Sequence, residues 1–253
     1  MMIRIAIAAA VALAASASCA AAQTRVDYCQ YGSQSSLLLL DRTTPYDAND
    51  QRAVLDSVAA IADRLQTGER FVVATIGAHY STSVRAFNEC VPGCPPAKDW
   101  GGIMDACRPM IARHDRQQFR ARLVGAIRPL LINSTDTPTS DITGTIAQST
   151  QHPPSGRTFA RVYIYSDMLE NSLALPWHEF RQMSAEQSMS VVRSFGLLPD
   201  TPHAQITIAG YGRLNDPARS PLPPLLDQAL RRFWTEYFEA GGASAPSFEN
   251  AVQ

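Results

Sequence analysis

The chain has 253 residues, 45% of them apolar and 18% charged, with a formal net charge of −1. This near-neutral balance excludes bulk nucleic-acid binding through a basic face. The apolar share is enough for a sizeable core.

In chain order, residues 1–22 read as a signal peptide. Arg4 supplies the positive charge, residues 5–15 are apolar but too short to span a bilayer, and Ala20-Ala21-Ala22 offers a small-residue cleavage site. Cys19 admits a lipoprotein reading. Ser16-Ala17-Ser18 before it lacks a large apolar residue, so cleavage near Ala22 is favoured. No later segment is apolar for long enough to be a membrane helix, and the expected location is periplasmic or secreted. About 230 residues then remain, the size of one α/β domain. Residues 23–35 read as a polar arm, 36–240 as the domain and 241–253 as a fraying tail.

Leu37-Leu38-Leu39-Leu40-Asp41 is apolar on every position until it stops at an acid, the pattern of a strand buried on both faces. A turn follows, and Asn49 or Asp50 is placed to cap a helix whose apolar face is Val54, Leu55, Val58, Ile61, Ala62 and Leu65. Residues 71–76 form a second strand and 81–87 an expected hairpin partner. A long helix spans about residues 108–131, with Phe119, Leu123, Ile127 and Leu130 inward. Arg113, Arg116 and Arg120 align on its outer side, either to grip an acidic partner or as a solvated face. Ser140 or Asp141 caps a short helix with Ile142 and Ile146 inward.

The run Val162-Tyr163-Ile164-Tyr165-Ser166-Asp167 repeats the apolar-then-acid pattern. Trp177 and His178 follow in an irregular stretch, either lining a pocket near Asp167 or simply packed. Further elements are a helix at 185–195, a strand at 204–211 and a closing helix at 225–238. Gly210-Tyr211-Gly212 lacks the third Gly and the helix of a dinucleotide loop. The alternation of strands and helices predicts a three-layer α/β fold: an open, mostly parallel, Rossmann-like sheet with helices on both faces.

Cys29, Cys90, Cys94 and Cys107 survive processing, and an even number in an exported chain reads as two disulfides. Three pairings are possible. Cys94 with Cys107 would close the Pro/Gly-rich loop at 92–102 and stabilise by about 3 kcal/mol in the chain-entropy model. Cys29 would then pair with Cys90. A thiolate metal site is the weaker alternative, because the chain has no second close Cys pair and its His are scattered.

Asp41-Arg42-Thr43-Thr44-Pro45 after the first strand, a hydroxyl-rich turn at Ser140 and Ser166-Asp167 after the later strand together resemble a von Willebrand factor A-type domain, as a divergent member. The resemblance implies a metal-ion-dependent adhesion site with Asp41, Thr43, Ser140 and Asp167 as ligands, Mg²⁺ or another divalent cation as cofactor, and a protein partner. Two departures stand out: Pro45 where the family has a second Ser, and Met168 where a Gly often follows the last Asp. Oxygen ligands suit a hard cation that keeps several waters and an open position. The expectation is therefore a binding module rather than an enzyme.

The same four residues otherwise read as caps of helices and turns, leaving a metal-free structural subunit. A third reading is an exported phosphoesterase-like hydrolase using Asp41. It is disfavoured because Thr43 stands where a second Asp would be needed and no Gly-x-Ser-x-Gly elbow occurs.

Overall fold

Four consecutive leucines set the sheet. Leu37, Leu38, Leu39 and Leu40 are each at most 1% exposed, because strand β1 (Ser35–Asp41) is covered on both faces. Side chains alternate across a strand, so Leu37 and Leu39 pack with one helical layer and Leu38 and Leu40 with the other. The structure, a computed structural model, describes residues 26–94, 107–212 and 221–249. The expected signal peptide, Cys19, most of the Pro/Gly loop and the last four residues lie outside these.

Along the chain, β1 is followed by α1 (Ala48–Arg64), β2 (Arg70–Ile76), β3 (Arg85–Cys90), α2 (Pro109–Ile132), α3 (Ile142–Gln151), β4 (Arg161–Tyr165), the short α4 (Trp177–Phe180), α5 (Ala185–Ser194), β5 (Gln205–Ala209), α6 (Pro224–Ala240) and β6 (Ser247–Glu249). Among the described residues the sheet has six strands in the order β3-β2-β1-β4-β5-β6. Only β3 runs antiparallel, as the hairpin partner of β2; every other pair is parallel. Helices α1 and α2 cover one face, and α3 to α6 cover the other. The three-layer α/β reading is therefore correct.

Several local expectations shift. The cap of α1 is Asp47, not Asn49 or Asp50: its side chain accepts from the Asn49 and Asp50 N–H groups, and Asp50 bonds back to the Asp47 N–H to complete a capping box. The arginine row on α2 divides: Arg113 is exposed, whereas Arg116 and Arg120 reach α1. Arg116 donates to the carbonyls of Ala62 and Leu65 at the end of α1, and Arg120 pairs with Asp63 at 2.9 Å. Within the tail expected to fray, β6 pairs with β5, and Phe248 packs on Tyr211 with ring centroids 4.9 Å apart.

The disulfides are Cys29–Cys90 and Cys94–Cys107. Two such bonds mark an oxidising, extracytoplasmic environment. No helix among the described residues is long and apolar enough to cross a membrane.

Candidate functional site

The register of the two central strands assembles the site. Leu40 of β1 lies opposite Tyr165 of β4, so Asp41 and Ser166 leave the sheet side by side at its carboxyl edge. Ser166 Oγ donates to Asp41 Oδ2 at 2.6 Å. The other oxygen, Oδ1, accepts from the Thr43 N–H at 2.9 Å and from Thr43 Oγ1 at 2.6 Å. This Asx-type turn folds the chain back directly after the strand.

Thr43 Oγ1 also lies 3.0 Å from Ser140 Oγ, across 97 residues of sequence. Backbone bonds lay the loop before α3 along the one after β1: the Thr135 N–H reaches Arg42 O and the Thr137 N–H reaches Thr43 O. Asp41, Thr43, Ser140 and Asp167 are all buried, at 2%, 5%, 7% and 8% exposure. The four predicted ligands therefore meet at one edge.

Asp167 joins through a residue the motif does not require. Thr44 Oγ1 donates to Asp167 Oδ2 at 3.1 Å, while the Leu169 N–H donates to Oδ1 at 2.9 Å. Pro45 is exposed and brings no hydroxyl. Thr44 thus turns its hydroxyl to the far carboxylate, beside the position that Pro45 leaves without one. Met168 keeps the backbone that a Gly there would have: its φ is +60°, in the left-handed region. Its side chain is fully buried, and its carbonyl accepts from Trp234 Nε1 at 3.1 Å.

Of the two caps expected for the short helix, Ser140 or Asp141, the structure uses Asp141, and sequence reasoning assigned no role to Glu170. Asp141 caps α3 through the Gly144 N–H and accepts the Tyr80 N–H at 2.8 Å, tying the exit of β2 to α3. A Cβ on Gly144 would stand 2.4 Å from Asp141 Oδ1, so the cap needs glycine there. Glu170 reaches the same helix end from the β4 side. The available signal was the run of polar residues after Asp167. Trp177 packs against the core and its backbone N–H donates to Asn171 Oδ1, while His178 is exposed. Neither contributes to the cluster described above.

The donors at this edge are two carboxylates and two hydroxyls, the hard oxygen set that Mg²⁺ prefers. Two neighbouring ligands of an octahedron with bonds of about 2.1 Å stand about 3.0 Å apart. Thr43 Oγ1 and Ser140 Oγ have that separation. That is equally an ordinary hydrogen-bond distance, and among the described residues no group of three or more His, Cys, Asp or Glu is placed to hold a metal; Asp41, Thr43, Ser140 and Asp167 are the residues that could hold a divalent cation.

No protein-family model matches the chain, and no curated protein matches it. Solved structures align with it at low identity. Proximal thread matrix protein 1 from the mussel byssus is 14% identical with a TM-score of 0.39, over 70% of this chain and 38% of that one. An aerotolerance-related membrane protein from Bacteroides fragilis, with multiple mutations to serines, is 10% identical with a TM-score of 0.42, over 87% of this chain and 94% of that one. The chain's own architecture, a mostly parallel open sheet with one antiparallel edge pair and helices on both faces, is consistent with a von Willebrand factor A- or Rossmann-like α/β fold.

Proposed function

We propose that the chain is an exported binding module of the bacterial envelope, delivered by the signal peptide at residues 1–22. It recognises a protein partner through a divalent cation, Mg²⁺ or a similar ion, held by Asp41, Thr43, Ser140 and Asp167. The carrying observation is the 3.0 Å approach of Thr43 Oγ1 and Ser140 Oγ beside two buried carboxylates. A carboxylate from the partner would complete the coordination, and the role is binding rather than catalysis.

A titration with Mg²⁺ tests the cation. At a hundredfold excess over Kd, a single site raises stability by about 2.7 kcal/mol. Wild type should melt higher with Mg²⁺ and give a one-site isotherm. Asp41→Asn, which keeps an oxygen for the Thr43 N–H, should lose both effects. An Mg²⁺-independent melting curve for the wild type defeats the cation reading.

One observation favours a second, metal-free reading as a structural subunit: Thr43 and Ser166 already donate to Asp41, so the cluster closes on itself. Capture of a partner from envelope extracts with and without chelator separates the two. Loss of capture on chelation supports the cation-dependent module, and indifference supports the structural subunit.

A further inference from the structure

Glu170 stands three residues beyond Asp167 and is not a ligand in the binding proposal. It is 0% exposed, and its Oε2 accepts the Ile142 and Thr143 N–H groups at 3.0 and 2.8 Å. These belong to the first turn of α3, whose N–H groups have no partner inside the helix. A side chain from the β4 exit therefore caps α3 alongside the helix's own cap, Asp141.

The next residue bridges the same gap. The Ser140 N–H donates to Asn171 O at 3.0 Å, and the Asn171 N–H returns to Ser140 O at 2.9 Å. Asn171 Nδ2 also donates to Pro138 O. Ser140 is thus held by the β4 exit on its own backbone and through the helix turn that follows it.

The remaining polar atoms here are unusual. Thr143 Oγ1 and Thr145 Oγ1 are buried and have no hydrogen-bond partner among the described residues. The groups that face Glu170 are Asp141 at the start of α3 and Tyr237 on α6, whose hydroxyl lies 3.1 Å from Thr143 O. An isolated charge is costly in such surroundings. Burial is the main cause that pushes the Glu170 carboxyl from 4.5 up to about 8; the Ser172 hydroxyl and the Thr143 amide pull it back, and Asp141 adds to the rise.

We infer that Glu170 is a positioning residue that locks the first turn of α3 to the β4 exit and so holds Ser140 against Thr43. Its consequence for cation binding rests on the function proposed above; the lock itself does not. The acid keeps its proton at neutral pH. Between about 4.5 and about 8 the folded chain carries a proton that the unfolded chain has lost, so stability falls as pH rises through that window. Above it the carboxylate forms, a stronger acceptor for the two amides but a buried charge, so the gain in stability is gone while the two bonds persist.

The test is amide hydrogen exchange and NMR on the metal-free chain, comparing wild type, Glu170→Gln and Glu170→Leu. Glu170→Leu should lower protection at Ser140, Ile142, Thr143 and Asn171 by about tenfold, the worth of one lost buried hydrogen bond. The β1 and β4 ladders should stay protected. Glu170→Gln retains an acceptor oxygen and should keep protection throughout. In wild type the Ile142 and Thr143 amide resonances should move with a midpoint near pH 8, and in Glu170→Gln they should not. Unchanged protection in Glu170→Leu overturns the lock, as does an equal loss across all amides or the absence of that titration. Mg²⁺ titration of the same variants is read separately. If wild type takes up no Mg²⁺ the binding reading fails, while the exchange data still decide the lock.

Discussion

Met168 shows at the scale of one residue how the site edge tolerates a departure from its pattern. A side chain in the left-handed region costs about 1–2 kcal/mol, and Met168 occupies that region at φ +60°. The side chain offsets this by filling the layer beneath α6, where it is fully buried. Removing it leaves a cavity worth about 2–5 kcal/mol. Both Met168→Ala and Met168→Gly should therefore destabilise, but only Gly relieves the backbone. We expect Met168→Gly to be the milder of the two by about 1 kcal/mol in urea unfolding. That reverses the usual order of Ala and Gly, and the usual order would show that backbone conformation matters little here.

At the scale of elements, charged side chains join neighbouring strands and helices from beneath. Glu69, whose side chain is 0% exposed, pairs with Arg161 at the start of β4 and accepts from Ser36 Oγ in β1. Three strand starts are thereby joined at the end of the sheet opposite the candidate site. Removing one partner of a buried pair leaves an uncompensated charge and costs about 3–5 kcal/mol, whereas replacing both with apolar groups is often neutral. Arg161→Met should therefore lower stability by about that amount, and adding Glu69→Leu should recover most of it. Unfolding curves of the single and double variants check this; additive losses would mean that the pair acts independently. Arg116 works likewise, its guanidinium lying against the carbonyl end of α1 where a helix favours positive charge.

At the scale of the whole molecule, the two disulfides fasten the antiparallel edge. Cys29–Cys90 closes 61 residues and pins the N-terminal arm to the end of β3, while Cys94–Cys107 closes 13 residues just beyond it. In the chain-entropy model the long loop contributes about 4 kcal/mol and the short one about 3 kcal/mol. The Cys29→Ser/Cys90→Ser variant should therefore be less stable than Cys94→Ser/Cys107→Ser by about 1 kcal/mol in urea unfolding. Equal losses would point away from chain entropy. The opposite edge is closed without a covalent bond: Arg231 lies 4.4 Å from the Tyr211 ring centroid and 4.7 Å from that of Phe248, which holds β6 in place.

Much of this was legible in the sequence because it is carried by local pattern. Four leucines ending in Asp41, and Val162 to Tyr165 ending in Ser166-Asp167, read as strands buried on both faces, and acids that follow such strands in a parallel sheet collect at one sheet edge. The hydrophobic spacing of α1 and α2 indicated most of their inward faces in the same way, with Leu55 and Leu130 only partly buried. What the local pattern does not contain is partner choice. The register that sets Asp41 beside Ser166, the turn of Thr44 toward Asp167, the reach of Arg116 to α1 and the capping of α3 by Glu170 all join residues far apart in the chain. So does β6, three residues too short to announce a strand, which forms because β5 presents an open edge and Phe248 finds Tyr211 and Arg231 there. The sequence by itself determined which residues are apolar, acidic or hydroxylated at each strand end. Only the tertiary structure decided which of them meet, because hydrogen bonds and buried charges are satisfied by whatever group the packing of the two helical layers brings within reach.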